Sequence, residues 1–175
     1  RNAFRTLCAH WSAYRGTPVR LWLDTQLGEV FDVKVQPSAD TADQIYDQIQ
    51  SCLASPEFKP RALYKKFGIE LLATTDDPCD DLAAHQFLRD DPAWPGRVIP
   101  TFRPDKYLEP ALPSWNADVD RLAEVSGIET GDYGGFIAAM ENRRQYFKDN
   151  GAVSSDHSHL DARTDALEFS EAVRV

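Results

Sequence analysis

Three short apolar runs in the second half of the chain each end in a cluster of polar residues. A helix-like stretch follows each cluster. The apolar runs lie at 69–73, 97–100 and 151–154, and the polar clusters at 74–78, 101–106 and 155–159. This alternation is typical of βα units with parallel strands. In such folds the site collects at the carboxyl ends of the strands, so the polar clusters are expected to meet there.

The pattern before Gly68 is different, because apolar residues recur there at helical spacing. It predicts a helical subdomain over residues 1–67, with Thr17-Pro18 and Thr41 as helix starts and Gly68 as a helix stop. Residues 68–175 are predicted to form βα units. Their strands are expected at 69–75, 97–102 and 152–157, and their helices at 80–89, 114–125, 133–149 and from Thr164 onward. The continuous apolar strand 69–75 is expected to be buried on both faces.

Composition narrows the class of protein. With 175 residues and 42% hydrophobic residues, the chain is long and apolar enough for a globular core. A net charge of −9 argues against a nucleic-acid partner, which needs a basic surface. No apolar run approaches the roughly 20 residues of a membrane span, so no membrane partner is expected. Three cysteines without CxxC spacing favour reduced thiols and a cytoplasmic location.

The polar clusters contain residues suited to binding or catalysis. Asp76 and Asp77 follow the first strand and either cap the next helix or belong to a site. Arg103 follows the second strand, where it either pairs with a surface acid or offers a bidentate fork to a carboxylate. The segment 141–144 on the last long helix has the composition of a solvated face, with Glu141 pairing an arginine.

The histidines leave several interpretations open. His157 and His159 have the spacing that places two rings on one face of a strand, as at the start of a zinc site. His10 and His85 are predicted on helices far from a strand end, so they are not expected to complete such a site. Alternatively, Asp156 orients His157 for proton transfer or hydrogen bonding, or His157 is only structural.

Five segments together resemble one family across nearly the whole chain. They are Arg15-Gly16-Thr17-Pro18 with Trp22, residues 53–61 (LASPEFKPR), residues 74–78 (TTDDP), residues 102–106 (FRPDK) and residues 153–157 (VSSDH). In order and spacing this set is similar to the uronate (glucuronate) isomerases of the amidohydrolase superfamily.

The resemblance implies a segment of a (β/α)8 TIM barrel with parallel strands, plus an N-terminal helical part. It implies interconversion of D-glucuronate with D-fructuronate, and of D-galacturonate with D-tagaturonate, through an enediol. Arg103 is then the candidate contact for the substrate carboxylate. Further substrate-binding candidates are the family's motif positions Asp76, Asp77, Asp105, Asp156 and His157. No catalytic residue is assigned.

The resemblance also places the family's metal ligands outside this sequence. The family's metal-binding His-x-His lies on the first barrel strand and its metal-binding aspartate on the last, so no metal or other cofactor is expected in this chain. A divalent metal such as zinc is possible in a longer parent. The chain begins without Met and is expected to be an internal fragment, inactive by itself and prone to self-association through open strand edges.

Two other functions remain open at this point. A different metal-dependent hydrolase of the amidohydrolase superfamily would differ in metal ligands that the segment does not contain. A non-catalytic helical interaction module would use residues 1–67 as its surface. Such a module gives no reason for Asp76, Arg103 and His157 to gather at one end of neighbouring strands.

Overall fold

A computed structural model describes residues 1–94, 96–158, 168 and 170. The chain divides into two compact units, Arg1–Gly68 and Ile69–Val175. The first unit contains helices α1 (Asn2–Ala9), α2 (Pro18–Thr25), α3 (Ala42–Ala54) and α4 (Pro60–Lys66). The second contains β1 (Leu71–Ala73), α5 (Ala83–Asp90), β2 (Arg97–Ile99), α6 (Trp115–Ser126) and α7 (Tyr133–Asp149).

The first unit is helical, and its core forms where the apolar stripes of its helices meet. Trp11, Leu27, Val33 and Ile45 are buried together there. α2 begins as its sequence predicts, because the Thr17 hydroxyl accepts the Arg20 N–H at 3.3 Å. α3 begins after Thr41, but the predicted cap contact does not form: the Thr41 hydroxyl bonds instead to Ser38 N and Gln36 O.

The second unit is a mixed helix–strand structure whose paired segments are parallel. β1 pairs with β2 in the register Leu71↔Arg97, Leu72↔Val98 and Ala73↔Ile99. Single parallel bridges then join Asp76 to Phe102 and Phe102 to Ser155. The parallel pairing expected between the first two runs is therefore present. The third strand, expected at 152–157, does not form: that segment joins the second only through the single bridge at Ser155.

The helices of the second unit follow local signals closely. α6 is followed by Gly127, which has the left-handed φ of +69° that favours glycine. α7 is preceded by its N-cap residue Asp132, whose carboxylate accepts the Gly135 N–H at 2.8 Å. α7 contributes Phe147 to the core against Phe102, with ring centroids 5.2 Å apart.

The expectation that the first strand is buried on both faces is wrong for this chain. Leu71 and Leu72 are each 44% exposed. Successive side chains of a strand point to opposite faces, so neither face of β1 is fully covered within the described residues.

Two sequence expectations lie outside the described residues: the helix starting at Thr164 and the position of His159. No helix in the described ranges combines the length and apolar character needed to cross a bilayer.

Candidate functional site

The carboxyl ends of the three parallel segments bring their polar residues side by side. The Asp76 N–H donates to Thr101 O at 3.0 Å, and the Arg103 N–H donates to Asp76 O at 3.1 Å. On the other side of the middle segment, the Asp156 N–H donates to Phe102 O at 3.1 Å. Backbone pairing therefore holds Asp76, Arg103 and Asp156 on adjacent segments at one end of the sheet.

Arg103 is the centre of a half-exposed charge cluster. Its Nε donates to Asp105 Oδ2 at 2.7 Å, and its Nη1 lies 3.8 Å from Asp156 Oδ2. The other Asp105 oxygen accepts the Ser158 N–H at 2.8 Å and lies 3.9 Å from His157 Nδ1. Four of the six candidate residues thus share one cluster: Arg103, Asp105, Asp156 and His157.

The electrostatics of this cluster follow from its contacts. The hydrogen bond to Asp105 raises the pKa of Arg103. Burial works to raise the pKa of Asp105, but the Ser158 N–H and Arg103 outweigh it, and the net pKa is lowered. Both groups are charged at neutral pH. In the described part Nη2 of Arg103 has no hydrogen-bond acceptor, so it is available to an incoming carboxylate.

Asp77 belongs to a second network, in which both of its carboxylate oxygens have protein partners. Its Oδ1 accepts the Cys79 N–H and the Tyr107 hydroxyl, each at 2.9 Å. Its Oδ2 lies 2.9 Å from Lys106 Nζ, which also reaches Asp118 of α6 at 2.8 Å. Burial works to lower the pKa of Lys106, but the two carboxylates outweigh it and raise it. Asp77 therefore ties the segment after β1 to α6.

Asp76 has a different environment from its neighbour. Its Oδ2 accepts the Thr74 hydroxyl at 2.7 Å and the Thr101 N–H at 3.2 Å. The expectation that His85 lies far from a strand end is wrong, because its Nε2 is 2.7 Å from Thr74 Oγ1. The sequence placed His85 on a helix, and it does lie on α5, but helical spacing does not show which strand end a helix packs against.

The expectation of a solvated face at 141–144 is correct for one arginine and wrong for the other. Arg144 lies 4.0 Å from Glu141 on the surface. Arg143 is only 6% exposed, and it donates from Nε to Pro78 O at 2.7 Å and from Nη2 to Asp80 O at 2.9 Å. The 3–4 spacing of Met140, Arg143 and Phe147 marks the same inward stripe.

A cavity of about 680 Å³ lies beside this region, between α6, α7 and the segment before α6. Tyr107, Trp115 and Phe136 are among its walls, but none of the six candidate residues lines it. The chemistry of the strand ends, rather than this cavity, identifies the candidate site. In the described part no group of three or more His, Cys, Asp or Glu side chains is arranged to hold a metal ion.

Comparison with known proteins gives one consistent family. The family model described as glucuronate isomerase matches residues 1–174. The uronate isomerase of Cutibacterium acnes is 51% identical over 175 residues, which is all of this chain and 37% of that protein. The uronate isomerase of Rhizobium meliloti is 41% identical over the same shares.

Solved structures agree with the sequence relatives. The crystal structure of glucuronate isomerase from Caulobacter crescentus superposes with a TM-score of 0.86 at 38% identity, covering 98% of this chain and 36% of that one. That of uronate isomerase from Thermotoga maritima gives 0.84 at 27% identity, covering 99% and 38%. The chain thus spans a little over one third of the length of these relatives.

Proposed function

The chain belongs to the glucuronate isomerase family, and we propose that it forms part of the sugar-acid site of a uronate isomerase. The proposed reaction interconverts an aldose uronate, such as D-glucuronate, with its ketose isomer. The observation that carries the proposal is the Arg103 cluster at the carboxyl ends of parallel strands, in a chain whose whole length matches the family.

The proposed ligand fits the chemistry of the cluster. A uronate carries one carboxylate and several hydroxyl groups. Arg103 has N–H donors for the carboxylate, and Asp105 and Asp156 accept hydrogen bonds from hydroxyl groups. The two aspartates outnumber the single positive charge of Arg103, so directed hydrogen bonds rather than net positive charge select the ligand. The same aspartates hold the guanidinium in place before the ligand arrives.

The six candidate residues divide into two proposed roles. Arg103, Asp105, Asp156 and His157 share one partly exposed cluster, which supports contact with substrate. Asp77 lies outside that cluster and is bound by Cys79, Tyr107 and Lys106, which supports a bracing role instead. The described residues do not fit a metal ion, because Arg103 occupies the centre of the carboxylates. We therefore derive no step through a metal, and proton transfer between C2 and C1 is not assigned to a residue of this chain.

We further propose that the second unit is a segment of a (β/α)8 barrel. The parallel strands and the exposed apolar residues Leu71 and Leu72 support this, since a neighbouring strand and helix would cover them.

The three cysteines, all in the described part, have free thiols, which supports a reducing compartment such as the cytoplasm.

A chimeric enzyme tests the proposal. The 175 residues replace their counterpart in the Cutibacterium acnes uronate isomerase, which is 51% identical over that segment. We expect the chimera to isomerise D-glucuronate. A chimera that folds with the host's thermal stability but turns over neither D-glucuronate nor D-galacturonate would contradict the proposal. The chain alone is expected to be inactive even with added Zn²⁺ or Mn²⁺.

A further inference from the structure

His85 is a buried histidine that reaches the strand ends from helix α5. It is 9% exposed, and its Nε2 lies 2.7 Å from Thr74 Oγ1. Thr74 Oγ1 lies 2.7 Å from Asp76 Oδ2, while the direct separation between Nε2 and that oxygen is 3.8 Å. Thr74 therefore stands between the imidazole and the carboxylate.

The chemistry of the three groups fixes the direction of the hydrogen bonds. An ionised carboxylate only accepts, so the hydrogen between Thr74 and Asp76 comes from the threonine hydroxyl. The hydroxyl has one hydrogen, and its other nearby acceptor, Ile99 O, is farther away at 3.2 Å and uncharged. The Thr74 oxygen then accepts from His85, which places a hydrogen on Nε2.

The second ring nitrogen does not oppose this tautomer. Nδ1 of His85 is buried and has no hydrogen-bond partner among the described residues, so it is unpaired in either neutral tautomer. A hydrogen on Nδ1 would leave Nε2 as an acceptor, and Thr74 would then have to give up its hydrogen bond to Asp76 in order to donate to the ring.

We propose that His85 is a positioning residue that acts on Asp76 through Thr74. The relay, together with the Thr101 N–H at 3.2 Å, engages Oδ2. Oδ1 accepts no hydrogen bond in the described part, so the relay presents Oδ1 as the acceptor for a substrate hydroxyl. The role of Oδ1 in binding a substrate hydroxyl rests on the proposed function, whereas the hydrogen bonds from His85 through Thr74 to Asp76 do not.

The relay is tested by NMR of the 175-residue chain with ¹⁵N-labelled histidine, at about pH 8.5, where imidazoles are neutral. We expect His85, assigned by its loss in His85→Gln, to show the Nε2–H tautomer. His10 is an internal control that should show the other tautomer, Nδ1–H, because its Nδ1 lies 2.9 Å from the backbone carbonyl oxygen of Thr6, which only accepts. Thr74→Ser should keep the His85 tautomer and Thr74→Val should lose it. An Nδ1–H tautomer of His85, or averaging of the two, would overturn the relay.

The positioning role is tested by kinetics in the chimera. Thr74→Val should lower kcat by tenfold or more with little change in KM, since misplacing a group by about 1 Å can cost roughly 10²-fold. Thr74→Ser should retain most of the activity. Equal kcat in the two variants of an active chimera would overturn the role. An unmodified chimera without activity would instead refute the proposed function, and the NMR result would still decide the relay.

Discussion

The buried arginine on α7 gives a sharp stability prediction. Arg143 donates from Nε to Pro78 O and from Nη2 to Asp80 O, and its guanidinium carbon lies 4.2 Å from the centre of the Tyr146 ring. These contacts join α7 to the turn that follows Asp76 and Asp77. Arg143→Met keeps much of the volume and removes both hydrogen bonds.

The expected cost follows from the two bonds. Each hydrogen bond from a charged donor contributes roughly 1.5–3 kcal/mol, so the pair contributes roughly 3–6 kcal/mol. Removing a desolvated charge offsets part of this, and we expect a net loss of about 3–5 kcal/mol. That is a large part of the roughly 5–15 kcal/mol that stabilises a typical domain. The stability of Arg143→Lys should lie between those of the wild type and Arg143→Met, because a lysine ammonium cannot reproduce the two-pronged hydrogen bonding of a guanidinium.

Urea unfolding of the chain, followed by circular dichroism and by hydrogen exchange of peptides covering residues 76–90, measures this effect. Arg144→Met is the matched control: it lies next to Arg143 on α7, its side chain is 61% exposed, and Glu141 is 4.0 Å away. Such a surface pair contributes about 0–1 kcal/mol. If Arg143→Met cost no more than Arg144→Met, the arginine would not be what holds the turn.

Three further predictions concern acid, association and activity. The pKa of Asp105 is lower in the folded chain than in the unfolded chain. Its charged form therefore adds to the free energy of unfolding above the unfolded pKa of about 3.9, and this contribution is lost as the pH falls through the folded pKa. Wild type should therefore lose more stability than Asp105→Asn in urea melts below about pH 4. The chain should self-associate in light scattering, and Leu72→Glu should reduce this more than Leu108→Glu, a 52% exposed leucine away from β1. The chain alone should leave D-glucuronate unchanged in a ketose assay, with or without Zn²⁺; turnover would show that the site is complete.

Local signals were enough to predict the helices of the second unit. Gly127 follows α6 and Asn150-Gly151 follows α7, because turn preferences act over a few residues, although Ser114 makes no capping hydrogen bond at the start of α6. The parallel pairing followed from the repeated change from apolar runs to polar clusters. The exposure of Leu71 did not follow, because burial depends on what packs against a strand and not on the strand's own residues.

The sequence predicted that the candidate residues lie at neighbouring strand ends, but it did not predict their individual contacts. Asp76 and Asp77 are adjacent and identical in type, yet one faces Thr74 and the other faces Lys106 and Tyr107. Arg143 binds carbonyl groups 63 and 65 positions earlier in the chain. Helical spacing places such a side chain on an inward face, but the partner comes from tertiary packing.

The most direct test of the account is the steady-state kinetics of Arg103 variants in the chimera with D-glucuronate. Arg103→Met should lower kcat/KM by the equivalent of roughly 2–5 kcal/mol, because the substrate carboxylate loses its charge-assisted partner. Arg103→Lys should recover only part of the loss, and Arg144→Met should match the unmodified chimera. If Arg103→Met kept the unmodified kcat/KM, Arg103 would not be the carboxylate contact and the assignment of the cluster as the sugar-acid site would be wrong.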